Sequence, residues 1–220
     1  MKTQIGFQFT VLVLLAFIST SAYAQSWYNG TSFYQLVKTG TPQDVQDAIS
    51  NGADVNEVGN GNWTPLMVAN SPDVISMLLK AGAHVSARES YDGGTALMWQ
   101  ADMCKNPAVI AMLLKAGADV KDQDKDGLTA LMYAARHNRP EVITALIDAG
   151  SDINACDKKG MTSLMYAATY NPNPEGIVVL LNAGADAKAK DNRGRTALDY
   201  AQRPKLVGTD ALKQLEETSK

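Results

Sequence analysis

The chain reads as an all-α repeat solenoid of stacked helix-turn-helix units with projecting loops. Three observations predict this. One phrase recurs along the sequence, as Thr64-Pro65-Leu66-Met67, Thr95-Ala96-Leu97-Met98, Thr129-Ala130-Leu131-Met132, Thr162-Ser163-Leu164-Met165 and Thr196-Ala197-Leu198-Asp199, at steps of 31, 34, 33 and 34 residues. A second apolar segment follows each of the first four copies, and Gly82, Gly117, Gly150 and Gly184 close these segments, as Gly52 closes an earlier one. A period near 33 means small supersecondary units, each burying its apolar face against its neighbours, and no closed catalytic cavity is required.

The unit Gly127 to Gly160 shows the grammar. Leu128 to Ala135 places small and apolar residues at helical spacing, and Arg136-His137-Asn138-Arg139 makes a polar turn. Pro140 to Ile147 is a second apolar helix, with proline in its first turn, where a missing N–H costs nothing. Gly150 supplies the left-handed residue that a helix C-terminus favours. Other second helices open at Ser71-Pro72-Asp73, Asn106-Pro107-Ala108 and Asn173-Pro174-Glu175, a capping residue followed by proline.

These residues resemble the ankyrin repeat. The family pattern G-x-T-P-L-H-x-A-A is matched by Gly127-Leu128-Thr129-Ala130-Leu131-Met132, and its G-A-D-V-N-A by Gly52-Ala53-Asp54-Val55-Asn56 and Gly117-Ala118-Asp119-Val120. The resemblance covers residues 31–217 in approximate units 31–61, 62–92, 93–126, 127–159, 160–193 and 194–217, the first unit lacking the recurring phrase, the last closing in a polar cap, and 218–220 a tail. It implies protein recognition through a concave groove and the loop tips. Two departures stand out. The family's histidine is Met67, Met98, Met132 and Met165 here, which replaces a hydrogen-bond network by adaptable packing. Gln100 takes a position that is usually alanine, so local distortion or a register shift of one residue is expected there.

Residues 1–24 differ in kind. Lys2 is their only charge, Val11 to Ile18 is a short apolar run, and Ala22-Tyr23-Ala24 closes the segment. This fits a signal peptide cut after Ala24, with 25–30 a short lead-in. The run is too short for a comfortable span, which needs roughly 20 apolar residues. The expected mature protein is exported, periplasmic or otherwise secreted, monomeric and without a membrane span. It carries 19 basic against 23 acidic side chains, a balance that argues against nucleic acid.

The chemistry-bearing residues are sparse. Asp122-Gln123-Asp124-Lys125-Asp126-Gly127 matches the opening of a calcium loop, but Tyr133 stands where the bidentate glutamate belongs. His84 and His137 have no metal-ligand spacing. Cys104 and Cys156 fall in different kinds of loop and are expected as free thiols. No cofactor, metal or catalytic residue is expected. The sharper candidate is a stripe along the first helices. Trp99, Tyr133, Tyr166 and Tyr200 follow the recurring phrase, and Met103, His137 and Tyr170 lie four residues beyond on the same helix face. Either this column binds a partner protein or it stabilises stacking of the repeats, and the two are compatible. Lys158, Lys159 and Arg193 add a basic rim. The expected function is a protein-binding scaffold or adaptor with an unidentified protein partner. An inhibitor or immunity protein of an exported toxin or enzyme is the alternative, a stabiliser of an exported enzyme is another, and a hydrolytic enzyme using His137 or Cys104 is a distant one.

Overall fold

The computed structural model describes residues 32–137, 140–170, 173–201, 206 and 208–219. The signal-like segment, the lead-in and Lys220 lie outside the described residues, as does the turn at Asn138-Arg139. Among the described residues every regular element is helical, and strand-like pairing is confined to isolated antiparallel bridges, Arg88 with Thr95, Gln123 with Thr129 and Cys156 with Thr162. The chain divides into two compact units, Met1–His84 and Val85–Lys220.

The first unit holds α1 (Phe33–Thr39), α2 (Pro42–Ser50), a 3-10 turn (Asn60–Asn62), α3 (Pro65–Val68) and α4 (Pro72–Lys80). Local chemistry sets the helix starts. The Ser32 side chain accepts from Gln35 N at 3.2 Å and Ser71 from Val74 N at 3.2 Å, while Thr41 and Asp44 form a reciprocal capping box. Helix α1 packs on α3 and α2 on α4, burying Phe33, Val37, Val45, Leu66, Met67, Ile75 and Leu78.

The second unit holds α5 (Ala96–Met103), α6 (Pro107–Lys115), α7 (Ala130–His137), α8 (Pro140–Asp148), α9 (Ser163–Tyr170), α10 (Glu175–Asn182), α11 (Ala197–Tyr200) and α12 (Asp210–Thr218). The first helices α5, α7, α9 and α11 form one layer, each against the next, and the second helices α6, α8, α10 and α12 form the other. Leu97, Met98, Leu131, Met132, Leu164 and Met165 of the recurring phrase fill the core, facing Val109, Ile110, Leu113, Val142, Ile143, Leu146, Ile177 and Leu180 from the second layer. Ala134, Ala135, Ala167 and Ala168 are buried where first helices approach one another, which is why the phrase continues into small residues. The glycines that end second helices hold the expected left-handed backbone, with φ +90° at Gly150 and +97° at Gly117.

Three expectations change in detail. The methionines that replace the family's histidine do more than pack. The sulfurs of Met67 and Met98 reach back to accept from the N–H of Thr64 and Thr95, each at 3.5 Å, so a softer atom retains part of the helix-start network. Gln100 is buried inside an unbroken α5, and the extra residue of that unit lies instead in the loop before it. Helix α10 starts one residue later than its proline motif suggests. Pro174 is its N-cap, and Asn173 accepts from Glu175 N at 3.0 Å.

Candidate functional site

Between consecutive repeats of the second unit, one acid organises each loop. Asp124 accepts from Asp126 N and Leu128 N, both at 2.8 Å, on one oxygen and from the Tyr133 hydroxyl at 2.9 Å on the other. Asp157 accepts from Lys159 N and Met161 N, both at 2.8 Å, and from the Tyr166 hydroxyl at 2.7 Å. Asp191 accepts from Arg193 N at 2.9 Å, Arg195 N at 2.8 Å and the Tyr200 hydroxyl at 2.6 Å. The carboxylate therefore folds its own loop and fastens it to the helix that follows. The calcium-like run is absorbed by this role, because Asp124 is committed to these donors and Asp122 pairs with Arg88. Among the described residues no group of acids, histidines or cysteines has a metal-holding arrangement.

The loop tips are also tied to one another. Lys125 N donates to Asp92 O at 2.7 Å, Lys158 N to Asp126 O at 2.9 Å and Asn192 N to Lys159 O at 3.0 Å. The Lys158 ammonium donates to the Lys125 carbonyl, so this expected rim cation also works as a tether. Lys159 and Arg193 are exposed at the same edge.

The aromatic column divides by burial. Tyr133 is 4% and Tyr166 6% exposed, and their hydroxyls turn to the loop aspartates rather than to solvent. Their reading as exposed binding groups is narrowed accordingly. Trp99 is half-buried with its ring 5.6 Å from that of Tyr133, and Tyr200 is half-buried under Arg195, whose guanidinium lies 4.5 Å from the ring centre. What the first helices present outward lies at their C-terminal ends. Met103 is 51% and Tyr170 49% exposed, and His137 is exposed between them in sequence order. Tyr170 stacks on Tyr166 at 6.1 Å.

Two residues that the pattern did not single out sit among these. The Arg136 guanidinium lies 5.9 Å from the Tyr133 ring centre and 5.7 Å from that of Tyr170, with a buried Nε that has no hydrogen-bond partner among the described residues. Burial pushes the nearby Asp102 carboxyl upward, opposed by the charges of His137 and Arg136. The alternation of acid and tyrosine nine residues apart (124 and 133, 157 and 166, 191 and 200) was the available signal for the latches. Cys104 caps α5 and is half-buried, and Cys156 is exposed; both are free.

The latches predict a stability plateau bounded on both sides. Burial, then the hydrogen bond and charge of the partner aspartate, raise Tyr133, Tyr166 and Tyr200 above their ordinary value of 10.0. The unfolded chain thus releases these protons first, and stability is lost as pH rises above about 10. The Tyr200 hydroxyl bond above all, with the loop N–H groups, holds Asp191 far below the carboxylate range. Burial works against Glu89, but bonds from Gly94, Tyr91 and Asp92 outweigh it and leave it lowered as well. That contribution is present above a pH of about 4 and is lost as pH falls below it. Thermal midpoints should be flat from about pH 5 to 9.5 and fall at both ends, and the alkaline fall should shrink in Tyr166→Phe. A midpoint unchanged up to about pH 11.5 would contradict this.

The comparisons with known proteins agree with this architecture. A family model described as ankyrin repeats in three copies matches residues 33–124, 70–156, 98–191 and 131–215. Among solved structures, the chain is similar to an immunity protein, in the complex of the predatory endopeptidase Bd0816 with immunity protein Bd3460 from Bdellovibrio bacteriovorus. The identity is 28%, the match covers 85% of this chain and 97% of that one, and the TM-score is 0.69. A search of the curated proteins finds no match. Recurring phrase, paired helix layers and latched loops, matched by the family model over nearly all the described residues, place the chain in one family: it belongs to the ankyrin repeat family.

Proposed function

We propose that this protein is an inhibitory binding protein of the immunity type, directed at an endopeptidase in the exported compartment, the periplasm in the simplest case. An ankyrin fold is a scaffold for non-covalent protein recognition. The observation that carries the narrower reading is the 28% identity over 97% of a chain that is an immunity protein held in complex with an endopeptidase. The signal-like start, if it acts as one, delivers the protein to the compartment in which such an enzyme would need restraint.

The mechanism is occlusion by a preformed surface. Latched loops and an aromatic-braced helix layer fix the contact groups before binding, so little ordering entropy is lost on association. Met103, His137 and Tyr170 offer the apolar and aromatic part of the surface, with Lys159 and Arg193 at its charged edge. The test is to mix the purified mature chain with each exported endopeptidase of the source organism. The expected result is a stoichiometric complex with one enzyme and loss of its turnover. A complex in which the enzyme stays fully active would replace inhibition by an adaptor role.

A further inference from the structure

The loop from Arg88 to Thr95 departs from its counterparts in several ways that support one another. Its bridge pair is one residue further apart than Gln123 with Thr129 or Cys156 with Thr162. Its organising acid is Glu89 rather than aspartate. The longer side chain, 2% exposed, spans the wider turn and accepts from Tyr91 N at 2.6 Å, Asp92 N at 2.8 Å and Gly94 N at 2.9 Å. The ring beneath is Trp99 rather than tyrosine, and it presses so closely that a Cβ on Gly94 would lie 2.7 Å from the indole nitrogen. The next loop clamps this one from the side. Lys125 reaches the carbonyls of Ser90 and Tyr91, its N–H donates to Asp92 O, and Arg88 joins Gly93 O at 2.9 Å to Gln123 O at 2.8 Å.

This bracing displays one side chain. Tyr91 is 67% exposed, more than Met103, Tyr170 or Val58, and it stands between exposed Ser90 and Asp92. The equivalent tips carry Lys125-Asp126, Lys158-Lys159 and Asn192-Arg193, with no aromatic residue. We propose that the Tyr91 loop is the element that enters the partner enzyme's concave substrate cleft, its ring filling an apolar subsite and the Asp92 carboxylate meeting a cationic group at the rim. This rests on the inhibitory reading above. A ring on a convex arch is enclosed on all sides only by a concavity, whereas a flat partner would touch one edge. Tyrosine supplies large contact area for little lost freedom, and a backbone braced by these hydrogen bonds loses less on ordering than a free loop would.

The experiment measures inhibition of the purified exported endopeptidases by the full mature chain, its Tyr91→Ala variant and its Tyr170→Ala variant, together with photocrosslinking from benzoylphenylalanine placed at position 91 or at position 170. Tyr91→Ala should raise the inhibition constant roughly 30-fold, the scale of an interface hot spot, with the thermal midpoint unchanged. The crosslink from position 91 should fall among residues lining the cleft. Inhibition by Tyr91→Ala equal to the parent's, or a crosslink to the enzyme outside its cleft, overturns the loop proposal and leaves the inhibitory function standing. Failure of the parent chain to inhibit any endopeptidase, with no enzyme crosslinked from either position, overturns the function and the loop proposal together.

Discussion

Replacing Asp157 by alanine is expected to cost about 3–5 kcal/mol of stability, because it strands several donors at once. The carboxylate is 6% exposed and accepts from Lys159 N, Met161 N and the Tyr166 hydroxyl. Lys159 N can turn to water, but the bonds from Met161 and Tyr166 are buried. Each buried donor left alone costs about 1–3 kcal/mol, and more where its acceptor was charged. In a chain of this size that corresponds to a fall of roughly 10 °C in the thermal midpoint. Asp157→Asn is the discriminating control. Its amide oxygen can still accept the two loop N–H groups, and its NH2 can donate to the tyrosine oxygen, so less than half the loss is expected. Equilibrium urea unfolding of both variants measures the difference. A loss under about 1 kcal/mol for Asp157→Ala would mean that the loop refolds around another acceptor.

The repeat itself was open to reading in the sequence, for a physical reason. Threonine before each first helix, leucine in its core and glycine after each second helix are demanded by local geometry, so they recur wherever that geometry recurs. The direction of a tyrosine hydroxyl is a different kind of fact. Periodicity places Tyr133 and Tyr166 on a helix, next to the methionine ladder, but which way the ring leans depends on the loop nine residues earlier. There, Asp124 and Asp157 look like ordinary turn formers until their second oxygen is seen to take the phenol. The wider Glu89 loop was hidden for a related reason. Its added residue falls within a step of only 31 residues between phrases and so left no signature there, while the distortion expected at Gln100 does not occur, since the helix accommodates that residue without a break. Arg136 was read as part of a polar turn, yet α7 continues through it and aims its guanidinium at two rings.

Tyr166→Ala should destabilise the fold heavily rather than merely blunt its binding. The ring is 6% exposed, stacks with Tyr170 and ends on Asp157, so removing it opens a cavity and leaves a buried carboxylate oxygen without its donor. Truncating a buried aromatic to alanine costs about 3–5 kcal/mol, and the orphaned acceptor adds to that. Tyr166→Phe keeps the ring and isolates the hydroxyl, for an expected loss of about 1–3 kcal/mol. Tyr170→Ala is the counterpart on the same helix. That ring is 49% exposed and gives up only part of a stacking contact and its approach to Arg136, so a loss within about 1 kcal/mol is expected. Denaturant unfolding beside partner affinity at a temperature where each variant is folded separates the two roles of the aromatic column. Tyr166→Phe should bind as the parent does once its folded fraction is matched, while Tyr170→Ala should bind more weakly with its fold intact. If instead Tyr166→Ala proved as stable as the parent, the hydroxyl and ring would be surface groups after all, and the latch would not hold the loops that this fold presents to its partner.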